Sequence, residues 1–293
     1  MKINVRLLRS IRLIHKIKKA GPKDVAQLLE DYFEESAITI AKSKINGKHI
    51  VGIDSDITYE SMKSGIAREP HFERIVNALL NQDDNCLDLG ANHGTHSLVM
   101  AKACFKGKVF AFEPQSLVSQ ILALNIYLNQ NANIVLFNLA VSAKTGDIVK
   151  LEQIVTSVKD INSGWTRVTT RPSLHKAITV AVDDLKLPRI SFIKMDIQGS
   201  EFLALKGMKR ILTKDRPYLF FECEEVHLSF VGSDKYELFN EIRDNNYAIY
   251  RIETEYPSDH LAVPIEKINE LEALIQAKSI GTTISRLDLK CVE

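Results

Sequence analysis

Residues 86–94 have the sequence CLDLGANHG, which leads from a short apolar run into a stretch with the spacing of a helix. Glycine at positions 90 and 94 lets the backbone approach a bound molecule closely, because a Cβ atom there would collide with it. The helix expected from Thr95 presents free backbone N–H groups, which bind carboxylate or phosphate oxygens. The segment therefore predicts a ligand-binding turn between a strand and a helix.

The chain around this turn alternates between short apolar runs and stretches of helical periodicity. The turn lies between a strand at Asn85–Leu89 and a helix at Thr95–Cys104, and a second strand follows at Lys108–Phe112. Such alternation predicts an α/β fold with a mainly parallel sheet and helices on both of its faces. Further helices are expected at Glu69–Leu80, Ser116–Asn129, Ser200–Leu212 and Lys235–Arg243, and further strands at Asn133–Phe137, Ser191–Met195, Tyr218–Phe221 and Tyr247–Arg251, with an antiparallel edge strand at Arg286–Lys290.

The start of the chain predicts a basic helical extension over residues 1–35, followed by one domain over residues 36–293 with its core at 69–252. Residues 1–20 contain no acid and repeat apolar side chains at helical spacing, which favours a helix. That helix would dock on the core or contact an anionic membrane or an acidic partner. Alternation around Asn46-Gly47 then predicts a hairpin at Ile38–Ile53.

The alternation lapses between Val141 and Val182, where the sequence is polar and rich in β-forming residues. We interpret this stretch as an insertion at one edge of the sheet. Because loops on a rigid scaffold commonly carry specificity, Trp165, Arg167 and Arg171 are candidates to face a substrate. The tryptophan could equally be a packing anchor.

The composition limits the classes of partner and location. The chain has 38 Lys plus Arg against 37 Asp plus Glu, so no global field favours nucleic acid. No apolar stretch approaches the roughly 18 residues that span a bilayer, and the basic start lacks the apolar core and cleavage site of a signal peptide. We expect a cytoplasmic protein, with peripheral membrane contact through residues 1–20 as an option. The cysteines are too far apart to predict disulfides or a zinc site: Cys86, Cys104, Cys223 and Cys291.

A carboxylate follows the second strand, at Glu113, about twenty residues after the glycine turn, where an acid can accept both hydroxyls of a ribose. Enzymes that use NAD have the same device, so this acid indicates an adenosine-type cofactor without naming it. The turn lacks the third glycine of a GxGxxG dinucleotide fingerprint. An aspartate followed by glycines is instead typical of S-adenosylmethionine enzymes.

Four blocks of the sequence together resemble the FkbM-type methyltransferases, over roughly Glu69 to Ile252. The family has the class I methyltransferase (Rossmann-like) fold with a seven-stranded sheet, which agrees with the alternation described above. The order and separation of the blocks also match. The blocks are DLGANHGTHSL from Asp88, VFAFEP from Val109, NIYLN from Asn125 and FIKMDIQGSE from Phe192.

The resemblance implies S-adenosyl-L-methionine as cofactor and assigns several residues to it. The turn that begins at Asp88 would hold the methionine part, with Gly90, Asn92 and Gly94 lining it. It also implies that Glu113 holds the ribose, and that Asn138 and Ala140 lie beside the adenine. From the residues alone, an asparagine after a strand could simply close that strand by bonding backbone.

The block from Lys194 to Glu201 places two acids and a lysine at the carboxyl end of a strand, where ligands bind in open α/β sheets. Charges this close are costly to bury unless they are paired, so we interpret Lys194 and Asp196 as catalytic. We also expect Asp196 to contact the cofactor, near the transferred methyl group and the acceptor hydroxyl. The family often has glutamate where this chain has Gln198, and an amide cannot act as a base. Glu201 could cap the following helix.

The segment FECEEVH, which ends at His227, adds Glu222 as a third catalytic candidate at the same sheet edge. Either Asp196 or Glu222 could take the proton of an acceptor hydroxyl. Together with Asp196 these acids could also resemble a metal site with oxygen ligands, but we expect no metal. We expect His227 to be a solvated loop residue.

The resemblance implies an S-adenosylmethionine-dependent O-methyltransferase that acts on a hydroxyl of a sugar, glycolipid or secondary metabolite. The acceptor would be a small molecule or a glycan, with no nucleic acid involved. A non-catalytic binding or scaffold module and an NAD-dependent oxidoreductase are the alternatives; cofactor binding without turnover would favour the first.

Overall fold

The computed structural model describes residues 38–42, 49–54, 56–64, 69–152, 163–254, 258–277 and 279–287. The predicted extension at residues 1–35, including the basic stretch 1–20, lies outside these ranges, as does Cys291. The strands in chain order are β1 (Ile38–Lys42), β2 (His49–Ile53), β3 (Cys86–Leu89), β4 (Val109–Phe112), β5 (Ile134–Phe137), β6 (Ala140–Val141), β7 (Ile148–Lys150), β8 (Lys176–Val180), β9 (Phe192–Met195), β10 (Tyr218–Glu222), β11 (Tyr247–Glu253), β12 (Asp259–Pro264) and β13 (Thr283–Arg286).

The central sheet has the order β13-β11-β12-β10-β9-β3-β4-β5 in the described part of the chain. The five strands from β10 to β5 are parallel, and β12, β11 and β13 are antiparallel to their neighbours. Seven of these strands form the predicted class I methyltransferase sheet. The eighth, β13, is the expected antiparallel edge, although it lies a few residues earlier than the predicted range Arg286–Lys290.

The helices confirm most of the expected elements, but one predicted helix is interrupted. Instead of one helix over Ser200–Leu212, a short helix ends at Lys206 and a separate π-helical turn spans Ile211–Asp215. The Asp183 carboxylate caps that second turn by accepting hydrogen bonds from the backbone N–H groups of Arg210 and Ile211. The helices are α1 (Ile57–Ser64), α2 (Pro70–Leu79), α3 (Thr95–Ala103), α4 (Ser116–Leu128), α5 (Glu201–Lys206), α6 (Glu225–Phe230), α7 (Lys235–Asp244) and α8 (Ile268–Gln276).

Side chains alternate along each buried strand, so the sheet has an apolar core on both faces. On β3, Cys86 belongs to the core that includes α2 and α3, while Leu87 belongs to the core that includes α5 and α7. Because both faces are covered, the parallel strands can be continuously apolar. The only polar side chains they bury completely, Asp88 and Lys194, lie at their carboxyl ends.

The predicted hairpin is confirmed by the antiparallel pairing of β1 with β2. It is attached to the domain through Asn125 on α4, a residue of the third family block. The Asn125 side chain accepts a hydrogen bond from the Val51 N–H at 2.7 Å and donates to the Val51 carbonyl at 3.0 Å. It also donates to the His93 carbonyl at 2.8 Å, so one asparagine joins β2, α4 and the glycine turn.

The predicted insertion folds as a small sheet of its own, in which β8 pairs with β6 and β7. Residues 153–162 within it lie outside the described ranges. The described part resumes at Ser163, and the following residues return toward the carboxyl ends of the parallel strands.

Candidate active site

A cavity of about 380 Å³ lies at the carboxyl ends of the parallel strands. The ends of β3, β4, β9 and β10 form its floor, α2 and α3 begin at one side, and the insertion covers another. Seven of the residues predicted for the site lie in its wall: Gly90, Asn92, Glu113, Ala140, Lys194, Asp196 and Glu222.

The glycine turn after β3 depends on two backbone conformations that side chains rarely adopt. Gly90 has a φ of +79°, and a Cβ atom there would collide with the backbone carbonyl oxygen of Asp196. Gly94 has a φ of +96°, and its missing side chain makes room for Leu122 of α4. The first glycine therefore brings β3 and β9 together at the cavity floor, and the second packs the turn against α4.

Glu113 is buried at the end of β4, where its two carboxylate oxygens hold the turn in place. They accept hydrogen bonds from the backbone N–H groups of Asn92 and Gln115, each at 2.9 Å. Burial raises the pKa of Glu113 to about 7 in spite of these hydrogen bonds. A carboxylate has about four lone-pair positions, so each oxygen can accept a further hydrogen bond from the cavity side.

Lys194 forms a buried ion network beneath the turn and is only 2% exposed. Its ammonium donates to the Gly90 carbonyl at 2.8 Å and lies 3.5 Å from Asp88 and 3.6 Å from Asp196. Burial alone would lower the pKa of this lysine, but Asp196 and Asp88 together raise it above its ordinary value. Lys194 is therefore a fixed positive charge, and Asp88, which also accepts from Ser97 at 2.5 Å, supports the site from below the cavity.

Asp196 and Glu222 lie at the ends of adjacent strands and are bridged by the amide of Gln198. The Gln198 Nε2 group donates to Asp196 at 2.7 Å and to Glu222 at 2.9 Å. Burial and the neighbouring Asp196 carboxylate raise the pKa of Glu222 far above its ordinary value. The side chain of Asp196 is 33% exposed, and both carboxyl groups lie in the cavity wall.

Two further predicted residues support neighbouring elements. Glu201 is buried at the start of α5, where it accepts a hydrogen bond from the Ile197 N–H at 2.9 Å; it closes the turn before the helix. Asn138 donates to the carbonyl oxygens of Glu113 and Pro114, which ties the end of β5 to the end of β4. Its neighbours Leu139 and Ala140 line the cavity at this point.

The insertion contributes Trp165 and Arg167 to the cavity wall, as expected, whereas Arg171 is exposed elsewhere. Trp165 is 66% exposed. The Arg167 guanidinium lies 3.5 Å from the ring centre of Phe230 and forms an ion pair with Glu152. The expectation of a solvated loop for His227 is wrong, because this histidine is buried on α6 between Arg167 and Glu224.

The sequence reasoning missed a polar wall formed by α2, α3 and β12. Glu69 lies 2.9 Å from His96, which lowers the pKa of this carboxyl to about 2 although burial alone would raise it. Next to it, His71 lies 2.7 Å from Asp259. Glu69, His71 and Asp259 are the only described residues grouped closely enough to ligate a metal ion.

Comparisons with known proteins identify the family to which these site residues belong. Residues 88–249, which are 162 of the chain's 293 residues, match the family described as Methyltransferase FkbM domain. The chain belongs to the FkbM methyltransferase family. The match begins at Asp88 and includes Gly90, Glu113, Asp196 and Glu222.

The chain is also similar to the hexuronic acid methyltransferase AglP of Haloferax volcanii, 26% identical over 166 residues. The alignment covers 55% of this chain and 64% of that protein, so it spans less than two thirds of the relative. Among solved structures, methyltransferase FkbM from Methylobacillus flagellatus is 18% identical with a TM-score of 0.44, covering 82% of this chain and 53% of that one. TYW2 from M. jannaschii, in complex with AdoMet, is 15% identical with a TM-score of 0.40, covering 86% and 88%.

S-adenosyl-L-methionine is the cofactor of FkbM proteins, and the cavity suits it in two respects. At Gly90 the cavity floor has no room for a side chain. At Glu113 two carboxylate oxygens retain free lone pairs next to the turn. In the described ranges, no helix has the length and apolar composition that crossing a membrane requires.

Proposed function

We propose that this protein transfers the methyl group of S-adenosylmethionine to an oxygen of a sugar acceptor. The observation that carries the proposal is Asp196, a partly open carboxylate at the end of β9 whose backbone touches the glycine turn. A base placed there lies between the cofactor's methionine end and the rest of the cavity. The relative from H. volcanii, named for a hexuronic acid, supports a sugar as the acceptor class.

In this proposal the cofactor supplies an activated methyl group, and the protein supplies position and a base. Gly90, Asn92 and Glu113 would hold the cofactor, with Gly94, Asp88 and Asn138 supporting them from behind and Ala140 beside the adenine. Transfer needs the acceptor oxygen in line with the methyl carbon, so orientation provides much of the acceleration. Lys194 would hold the Asp196 carboxylate in place, since their charged atoms lie 3.6 Å apart.

The roles of the two candidate bases then differ. Glu222 holds its proton because of burial and the nearby Asp196 charge, so it cannot accept another. Asp196, paired with Lys194 and partly exposed in the cavity wall, would take the proton of the acceptor hydroxyl. Glu222 would instead position Asp196 through Gln198.

The first experiment is calorimetric titration of the full chain with S-adenosylmethionine, S-adenosylhomocysteine and NAD, followed by turnover assays on neutral and acidic sugars. Asp196→Asn should bind S-adenosylhomocysteine normally and lower kcat by about 100-fold or more, the range for loss of a general base. Asp244→Asn, at an exposed carboxylate on α7, is the matched control and should leave S-adenosylhomocysteine binding and kcat unchanged. Binding without turnover on any sugar would favour a scaffold role, and binding of NAD alone would overturn the methyltransferase proposal.

A further inference from the structure

Gln198 has an unusual position for a polar side chain. Its backbone is left-handed, with a φ of +52°, and the residue is only 6% exposed. It lies in the cavity wall, where its Nε2 group is fully used by Asp196 and Glu222. Its Oε1 atom is buried without a hydrogen-bond partner. A buried amide oxygen without a partner is costly unless a ligand supplies a donor.

The orientation of this amide follows from its neighbours. The reverse orientation would place the amide oxygen against the Asp196 carboxylate and leave the N–H groups without acceptors. With Nε2 between Asp196 and Glu222, both of its hydrogens are satisfied. The oxygen is therefore the atom that Gln198 offers to a ligand.

The two donors beside Asp196, the Lys194 ammonium and the Gln198 amide, are already in use, so this part of the wall offers hydrogen-bond acceptors. The Lys194 ammonium is held by the Gly90 carbonyl and by the carboxylates of Asp88 and Asp196. Glu222 accepts a hydrogen bond from the Gln198 amide at 2.9 Å. This part of the wall therefore contains the partly exposed carboxylate of Asp196 and, on the lining residue Gln198, a buried amide oxygen without a partner.

Such a surface selects among the oxygens of a sugar. A hydroxyl can donate to an acceptor oxygen, and two hydroxyls on adjacent carbons can donate to two neighbouring acceptors. An ionised carboxylate offers only lone pairs and negative charge, so it would be repelled at this position. The nucleophile that this wall accepts is therefore an alcohol.

We propose that Asp196 and Gln198 Oε1 together bind two adjacent hydroxyl groups of the acceptor, and that the hydroxyl at Asp196 is methylated to an ether. This inference rests on the proposed sugar methyltransferase function. The hydroxyl oxygen forms the new bond to the methyl carbon as the sulfur–carbon bond breaks. The electron pair of that bond stays on sulfur, giving S-adenosylhomocysteine, and the hydroxyl proton passes to Asp196.

The test uses the full chain with S-adenosylmethionine and a panel of methyl hexosides, methyl hexuronides and their monodeoxy analogues. The expected product is an alkali-stable methyl ether at one of two adjacent hydroxyls. Removing the neighbouring hydroxyl should lower kcat/KM at least tenfold, mainly through KM. An alkali-labile methyl ester, or equal turnover of the monodeoxy analogue, would overturn the inference while leaving methyl transfer to sugars intact.

A matched pair of variants isolates the glutamine. Gln198→Met keeps the length of the side chain but removes its hydrogen bonds, and Gln130→Met changes an exposed glutamine with nearly the same backbone, at a φ of +56°. The first should raise KM for the intact sugar at least tenfold and no longer distinguish it from the monodeoxy analogue, with S-adenosylhomocysteine binding retained. The second should behave as the parent. A Gln198→Met enzyme that still distinguishes the two sugars would contradict the role assigned to Oε1.

If S-adenosylhomocysteine binds but no sugar in the panel is methylated by the parent enzyme, the proposed function itself is overturned, and the inference with it.

Discussion

At the scale of single residues, Gly90 is constrained both by its left-handed backbone and by the lack of room for a Cβ atom. A second glycine, Gly232, allows these two effects to be separated. Gly90 and Gly232 have nearly equal φ values, +79° and +78°, but a Cβ atom collides with Asp196 at the first and meets nothing within 4 Å at the second. Gly232→Ala should therefore cost only the left-handed backbone penalty, about 1–2 kcal/mol.

Gly90→Ala should be destabilised by more than that amount and should lose measurable S-adenosylhomocysteine binding. Urea unfolding and calorimetry of both variants test this. Equal stability of the two variants would show that β3 and β9 can move apart at Gly90 at little cost in free energy.

The carboxyl group of Glu113 makes cofactor binding depend on pH. Burial raises its pKa to about 7, and ribose hydroxyls that donate to it would favour the ionised form. Affinity for S-adenosylhomocysteine should thus fall about tenfold from pH 8 to pH 6, following the ionised fraction. Glu113→Gln should bind more weakly with a flat profile in the same calorimetric titration. An unchanged slope in this variant would assign the titration to another group.

The same group has the opposite effect on stability. When folding raises the pKa of a carboxyl group, the group stabilises the folded state at pH values below its pKa in the unfolded chain. This contribution is lost as the pH rises to the pKa of the group in the folded protein. Between about pH 4.5 and pH 7, the free energy of unfolding of the cofactor-free protein should lose the contribution of Glu113. This part of the pH dependence should be absent from Glu113→Gln.

Some residues of the site can be predicted from the sequence on either side of them, and others cannot. Gly90 and Glu113 each stand at the end of an apolar run, which is a local signal, and the structure brings both to the cavity. Glu69 and Asp259 also reach the cavity wall, but they meet only because α2 packs beside β12. No local pattern encodes that contact, since His71 and Asp259 are 188 residues apart.

At the scale of elements, Asn125 is the residue that holds the β1–β2 hairpin on the domain. Asn125→Ala would leave buried backbone groups of Val51 and His93 without partners, which should cost about 2–4 kcal/mol in the free energy of unfolding. Asn240→Ala, on the exposed side of α7, is the control and should change it little. Urea unfolding measures both, and equal effects would mean that the hairpin is held by its apolar contacts.

The elements that were predicted are those with a complete local pattern. Each strand from β3 to β5, as well as β9 and β10, is a short apolar run next to a periodic helix. The strand β12 was missed because its run, DHLAVP, begins with two polar residues and ends in proline. It becomes a strand because it pairs with β10 on one side and β11 on the other. The local sequence does not encode that pairing.

At the scale of the whole molecule, we propose that residues 1–35 form a basic extension distinct from the domain that follows. If residues 1–20 contact an anionic membrane, the full chain should float with phosphatidylserine-containing vesicles at low salt and release at high salt. A chain that begins at residue 21 should not float, and it should still bind S-adenosylhomocysteine. Flotation of both forms, or of neither, would exclude this role for the extension.

The attachment of the insertion at Ser163 has a practical consequence for making chimeric enzymes. The Ser163 N–H donates to Asp56 at 2.7 Å, its hydroxyl donates to Asn92 at 3.1 Å, and its carbonyl accepts from Gln115 at 3.0 Å. A recombination library that exchanges the insertion between family members should keep position 163 from the same parent as positions 56, 92 and 115. Crossovers placed after Ser163 would let Trp165 and Arg167 vary, while the residues that Ser163 contacts, Asp56, Asn92 and Gln115, would still come from the same parent.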